Sequence, residues 1–492
     1  MATTSEKAPP LWSSYGDFLN MDLSFEAELV IKKTFKTLSN MLIQFQKSFI
    51  IIYGSLLSGV LLAQYGVGVL ILTIGVMIVI TIGANIYLTI KLRTVQLNKL
   101  FLPFMNLMTL VSNTLVTLLV TVLANASLSV GIPEEFDITH IVAMMIEGFL
   151  LVAIETAFTA LSAMDSNSNS NHVKRNDSVL LRQTSTRFIS QAFLQAERSF
   201  GFIYGAAVAN LLMSFYGFIP MILCSLIFVT VLFMGSILIT RRSRLVRSSL
   251  TLASTPYTSA IRLMSNYLTL LLSTMLTVTA TLIITSSLNA GLDEDGDITH
   301  VLAVLGLGFL LAAPETFCTF ALTQYEERTS QGTLSYEAFK LGSLSLAQFE
   351  RSFIIIYGVA LSNFLTSQFG LTDVLLIIFI CNTALLLAVI ACSVRSDKDP
   401  GSSVRLTGLG VFISYLGLLL FTTTTIISTL FINSIFVSGI TEEDDLTHIV
   451  IIMTEAFLII VAETACTGMT DLVPEVPTTP PPPKRRQQQQ QQ

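Results

Sequence analysis

DITHIVAMMIEGFLLVAIET at residues 137–156 returns as DITHVLAVLGLGFLLAAPET at 297–316 and as DLTHIVIIMTEAFLIIVAET at 445–464. Each copy opens on Asp-x-Thr-His: Asp137 to His140, Asp297 to His300, Asp445 to His448. Each closes on Glu-Thr, with Glu155, Glu315 and Glu463 fifteen residues after the His. Upstream of every copy a second motif recurs. Gln46-Lys47-Ser48-Phe49 with Ile52-Tyr53-Gly54 is matched by Glu197-Arg198-Ser199-Phe200 with Ile203-Tyr204-Gly205, and by Glu350-Arg351-Ser352-Phe353 with Ile356-Tyr357-Gly358. An aromatic-Gly pair follows each time: Tyr65-Gly66, Tyr216-Gly217 and Phe369-Gly370. Two motifs in one order, three times over, make the chain a tandem threefold repeat.

The composition says where such repeats live. Of 492 residues, 52% are AVILMFWYC and only 12% are charged, whereas a soluble globular chain carries about 25% charged residues. Every copy holds four apolar stretches long enough to cross a bilayer. They fall at about 48–65, 67–90, 101–123 and 140–161, then 199–216, 218–240, 267–288 and 300–322, then 352–369, 371–394, 408–434 and 448–469. The pattern predicts an all-α polytopic membrane protein of about twelve transmembrane helices. An even number of crossings per copy makes the three four-helix repeats parallel, in a pseudo-threefold arrangement. Amphipathic stretches at 26–45, 182–197 and 336–350 are expected to lie at the membrane interface before each first span.

The expected organisation is a cytoplasmic segment 1–45, membrane repeats at 46–164, 191–324 and 346–471, linkers at 165–190 and 325–345, and a tail at 472–492. The Ser/Asn-alternating linker and the Pro/Gln tail lack the apolar content to form a core. Lys and Arg set the orientation. Clusters such as Lys91, Arg93 and Lys99, or Arg241, Arg242, Arg244 and Arg247, all fall on the side of the termini. The loops before the Asp-x-Thr-His motifs are acidic, as in Asp293-Glu294-Asp295, and carry no base. Both termini are therefore expected in the cytoplasm of an integral membrane protein.

Net charge −6 and the absence of a basic patch argue against nucleic acid. Five scattered cysteines without a CxxC pair support neither a disulfide framework nor a zinc knuckle. No phosphate loop, nucleophile elbow or His-Glu-x-x-His is present, so no enzyme and no cofactor is expected.

Candidate residues come from polarity inside spans, where ionisable groups are costly. Glu147, Glu155, Glu315, Glu455 and Glu463 all lie on fourth spans; the second copy has Leu307 where the others have Glu147 and Glu455. His and Glu fifteen residues apart are about 22 Å apart along a helix and about 60° apart around it. Such acids can form a titratable or cation-binding track, or tie helices together as neutral hydrogen-bonding groups. Asp137, Asp297 and Asp445 serve as helix N-caps. His140, His300 and His448 add a group that can sense protons; Asp with His is also a metal-ligating pair, although no metal is expected. Third spans carry one Thr trio each: Thr114, Thr117 and Thr121; Thr274, Thr277 and Thr281; Thr422, Thr425 and Thr429. Each trio shares a helix face and either lines a polar path or bonds its own backbone in a tight interface. The Ser-Phe and Tyr-Gly pairs of the first spans read as interface anchors and close-approach positions.

Two functions fit. One is a channel or transporter for protons or small cations, using the Glu residues and the Thr-lined helices. The other is a structural scaffold organising an organelle or envelope membrane without transport. The partner expected in either case is the lipid bilayer, with a homo-oligomer or array compatible with both.

Overall fold

A computed structural model describes residues 25–95, 102–129, 138–168, 177–249, 256–290, 298–327, 333–398, 403–439 and 447–472. Among the described residues the chain forms twelve α-helices. They are α1 (Phe25–Tyr65), α2 (Val67–Val95), α3 (Leu102–Ser129), α4 (Ile138–Ser168), α5 (Asp177–Tyr216) and α6 (Phe218–Ser249), followed by α7 (Pro256–Ala290), α8 (Ile298–Glu327), α9 (Leu334–Phe369), α10 (Leu371–Lys398), α11 (Ser403–Gly439) and α12 (Thr447–Leu472). All twelve are long and apolar enough to cross a membrane, the architecture of a multi-pass membrane protein.

The aromatic-Gly pairs turn out to be single-residue hinges. Gly66, Gly217 and Gly370 adopt φ of 73°, 76° and 79°, a region that costs glycine nothing and other L-residues about 1–2 kcal/mol. Their N–H groups bond back to the carbonyls of Leu62, Met213 and Thr366. The next helix then starts at once. At the start of α9, Thr333 caps the first turn by accepting from the Tyr336 N–H.

The amphipathic stretches differ from expectation. Residues 26–45 are not a separate element but the first half of α1, which runs unbroken for 41 residues. Helices α5 and α9 behave alike, with 40 and 36 residues. At 1.5 Å per residue α1 is roughly 60 Å long, about twice the hydrocarbon thickness of a bilayer. The physical reason is local: no Gly or Pro interrupts 25–53, so nothing ends the helix where its apolar half begins.

Packing organises the helices in two layers. Helix α1 packs on α3, α3 on α5, α5 on α7, α7 on α9, α9 on α11, and α11 returns to α1, closing a ring of six. The other six sit outside it. Helix α2 covers α3 and α5, α6 covers α7 and α9, and α10 covers α11 and α1. Likewise α4 packs on α5 and α7, α8 on α9 and α11, and α12 on α1 and α3. Burial follows this order: 56% of the apolar window of α3 and of α7 is buried, against 17% for α2 and α6. The outer helices instead present Leu72, Val79, Ile219, Val231, Leu376 and Leu387 outward, each more than half exposed, a lipid-facing surface rather than a water-facing one.

Candidate functional site: polar contacts of the inner ring

Every inner helix interface of one kind is clasped by a pair of hydroxyls. Thr117 on α3 meets Ser199 on α5 at 2.8 Å, Thr277 on α7 meets Ser352 on α9 at 2.9 Å, and Thr425 on α11 meets Ser48 on α1 at 2.8 Å. All six side chains are fully buried. Gln195 donates to both Ser199 and Thr117, and Gln44 to Ser48. The same Thr residues seat a glycine of their other neighbour. A Cβ on Gly205 would stand 2.8 Å from Thr277, one on Gly358 2.8 Å from Thr425, and one on Gly54 3.1 Å from Thr117. Close approach of backbones, made possible by small residues, is how helices associate in lipid.

The remaining stripe residues follow suit. Thr114, Thr121, Thr274, Thr281, Thr422 and Thr429 each donate to the carbonyl four residues earlier. All but Thr274 are buried. Thr117, Thr277 and Thr425 make the same bond in addition to their clasp. These hydroxyls are therefore engaged within and between helices.

The intramembrane acids occupy junctions between the outer and inner layers. Glu155 accepts from Thr159, which itself touches Ser190 of α5 at 2.8 Å. Glu315 accepts from Thr319 at 2.9 Å, with Ser343 of α9 at 3.1 Å beyond. Glu463 accepts from Thr467 at 2.8 Å, which reaches Ser39 of α1 at 2.9 Å. A second acid joins two of these junctions: Glu197 lies within Coulombic reach of Glu155, and Glu350 of Glu315. At the third, the matching residue is Gln46.

Glu147 is held differently. It accepts from Ser127 at 2.9 Å and from the hydroxyl of Tyr204, a fully buried residue of α5. The counterpart Tyr357 packs with Leu307, which replaces the acid, and its buried hydroxyl has no hydrogen-bond partner among the described residues. Glu455 is half-buried on α12, beside Ala456 and one turn after Ile452, which share a cluster with Tyr53. Asp137, Asp297 and Asp445 lie outside the described residues; His140, His300 and His448 fall in the first turns of α4, α8 and α12, their side chains outside the described set.

One constellation was not singled out from the sequence. Lys47 on α1, Arg198 on α5 and Arg351 on α9 are exposed, although Ser48, Ser199 and Ser352 beside them are fully buried. Lys47 is within Coulombic reach of both arginines, and Arg198 of Arg351. Helices α1, α5 and α9 are alternate members of the closed ring, so side chains that approach one another from all three meet across its interior. Eleven residues earlier, three turns on nearly the same face, stand Lys36, Arg187 and Lys340, also exposed. Arg187 borders a polar cleft of about 290 Å³ with Thr89, Gln183 and Gln191. Four residues after the first tier come Ile51, Phe202 and Ile355. The signal available in the sequence was this spacing of eleven, repeated in all three copies. Comparison with family models, curated proteins and solved structures finds no match to this chain.

Proposed function

We propose that this multi-pass membrane protein is a transport protein for small inorganic anions, built from three parallel four-helix repeats about a pseudo-threefold axis, with both termini cytoplasmic. The observation that carries the reading is the convergence of Lys47, Arg198 and Arg351 inside the helix ring. Glu197 and Glu350 lie within Coulombic reach of Arg198 and Arg351, but three mutually repelling cations still outnumber these two acids. The excess within membrane-spanning helices is costly unless water or anions compensate it. Rings of Lys and Arg are the usual lining of anion pathways. A second basic tier at Lys36, Arg187 and Lys340 would raise the local anion concentration at the cytoplasmic mouth.

The choice of proton or small cation suggested by the acids alone loses ground for a physical reason. Glu147, Glu155, Glu315 and Glu463 each accept a hydroxyl at a helix junction, the helix-tying role open to intramembrane acids. Catalysis has no part in this reading. A scaffold without transport is the second reading, favoured by one observation: the turn beyond the basic tier is apolar, and Ile355 in it is buried.

Flux measurements on the full chain in liposomes separate the two. Under an anion reading, chloride or nitrate moves down its gradient faster than potassium or protons. Replacing Arg198 and Arg351 by Ala then reduces anion flux at least tenfold while the protein stays folded. Faster potassium or proton movement, unchanged by those substitutions, overturns the anion assignment; no flux of any ion supports the scaffold. Epitope tags at either end that are accessible from outside intact cells would refute the orientation.

A further inference from the structure

A cavity of about 300 Å³ opens between α2, α3, α4 and α5. Its walls are apolar side chains, among them Ile78, Ile82, Leu123, Leu151 and Phe193, with Glu147 and Tyr204 at one end. Leu150 and Ile154 on its rim are 54% and 39% exposed on the lipid-facing side. We infer that this cavity is a binding site for one alkyl chain of a membrane alcohol, whose hydroxyl meets the Glu147 carboxyl.

The size fits. Taking roughly 30 Å³ per water-sized unit, the space holds about ten methylene groups. The polar end fits as well, because the two oxygens of a carboxyl offer more hydrogen-bonding positions than Ser127 and Tyr204 occupy among the described residues. A mostly apolar pocket with one converging polar group is the ordinary form of a small-molecule site.

The corresponding places in the other two copies carry larger side chains. Ala196 lines the cavity, whereas the matching residues are Phe45 and Phe349. Phe349 is buried in a cluster with Leu272, Leu276 and Ala280, against which Phe233 packs; Phe233 matches Ile82. Phe45 meets Phe431 edge to face at 6.4 Å, and Phe431 matches Leu123. The second copy has Leu307 where Glu147 stands, and the third sets its acid, Glu455, with Phe45 and Phe431, so the first copy alone combines the smaller side chains with an acid.

The test uses the full chain in phosphatidylcholine nanodiscs and a dodecan-1-ol carrying a photoreactive diazirine. Labelling is expected to map to residues of α2 to α5 that line the cavity, and to be displaced by unlabelled dodecan-1-ol. Ala196→Phe should cut it at least fivefold, and Phe349→Ala should create a second labelled region between α6 and α9. The hydroxyl-free dodecane analogue should label several-fold less, a preference that Glu147→Leu removes. Labelling spread evenly over the lipid-facing helices, labelling that unlabelled alcohol does not displace, or undiminished labelling in an Ala196→Phe protein of normal melting midpoint would each overturn the site. If Ala196→Phe fails to fold, the displacement measurement on the unaltered protein decides. None of this depends on what the basic tier transports.

Discussion

Tyr204 and Tyr357 occupy matching positions on α5 and α9, and the same substitution to Phe should move stability in opposite directions. The hydroxyl of Tyr204 donates to Glu147 and touches Ser127 at 3.3 Å. Removing it leaves the aromatic ring, and so the packing, in place while stripping the acid of a donor. Hydrogen bonds between helices in a membrane are worth about 0.6 kcal/mol on average and up to about 1.7 kcal/mol. Tyr204→Phe should therefore cost about 0.6–1.7 kcal/mol. Tyr357 has a buried hydroxyl with no hydrogen-bond partner among the described residues, and an unsatisfied buried polar group carries a penalty of about 1–3 kcal/mol. Tyr357→Phe removes that penalty and should stabilise. The expected gap between the two variants is thus about 2–5 kcal/mol. The assay is the unfolding midpoint in one detergent at one protein concentration. Only the ordering is read, because unfolding of so large a chain is not two-state. Equal midpoints, or a Tyr357→Phe protein less stable than Tyr204→Phe, would refute the claim that Glu147 and Leu307 create two different environments.

Gly205→Ala should destabilise by about 1–3 kcal/mol through overpacking, since its Cβ would lie 2.8 Å from Thr277 and 3.0 Å from the Thr274 carbonyl. Gly59→Ala, with nothing within 4 Å, should instead gain up to about 1 kcal/mol; thermal midpoints of the two compared with the parent check both. Gly217→Ala should cost about 1–2 kcal/mol from its positive φ alone, and a midpoint as high as that of Gly59→Ala would show that a side chain at the hinge meets no strain. Thr425→Val removes the hydroxyl facing Ser48 and should lower the midpoint by an amount matching about 0.6–1.7 kcal/mol, with Thr117→Val doing the same at the α3–α5 interface.

Much of this architecture could be read from residue types alone. Twelve apolar stretches and three motif copies are strong signals because bilayer length and repetition leave few alternatives. The ends of α2, α3 and α4 shift by a few residues from the sequence boundaries, as helix ends do. Harder to see was that 26–45 and 48–65 form one helix, because amphipathic and apolar patterns read as separate elements unless a break is sought between them. The basic tier was missed for a related reason. Lys47, Arg198 and Arg351 sit at a polarity boundary, where positive charge normally marks the cytoplasmic interface, and only three-dimensional packing reveals that alternate helices point them at one another. The Thr stripes were visible as helix faces, but whether a face looks at a pore or at a glycine of the next helix is not a property of that face. Ala196 passed unnoticed because an alanine in an apolar run carries no signal until its counterparts Phe45 and Phe349 are compared with it.

The closing contacts of the ring join helices far apart in the sequence: α11 and α12 both pack on α1. Helix α1 is made well before α11 and α12. For most of synthesis Ser48 has no Thr425 to meet. Biogenesis must therefore hold an incomplete barrel of helices in the bilayer until the final hairpin arrives. A truncation anywhere before α11 would leave an open seam running the depth of the membrane, a natural signal for membrane quality-control proteases.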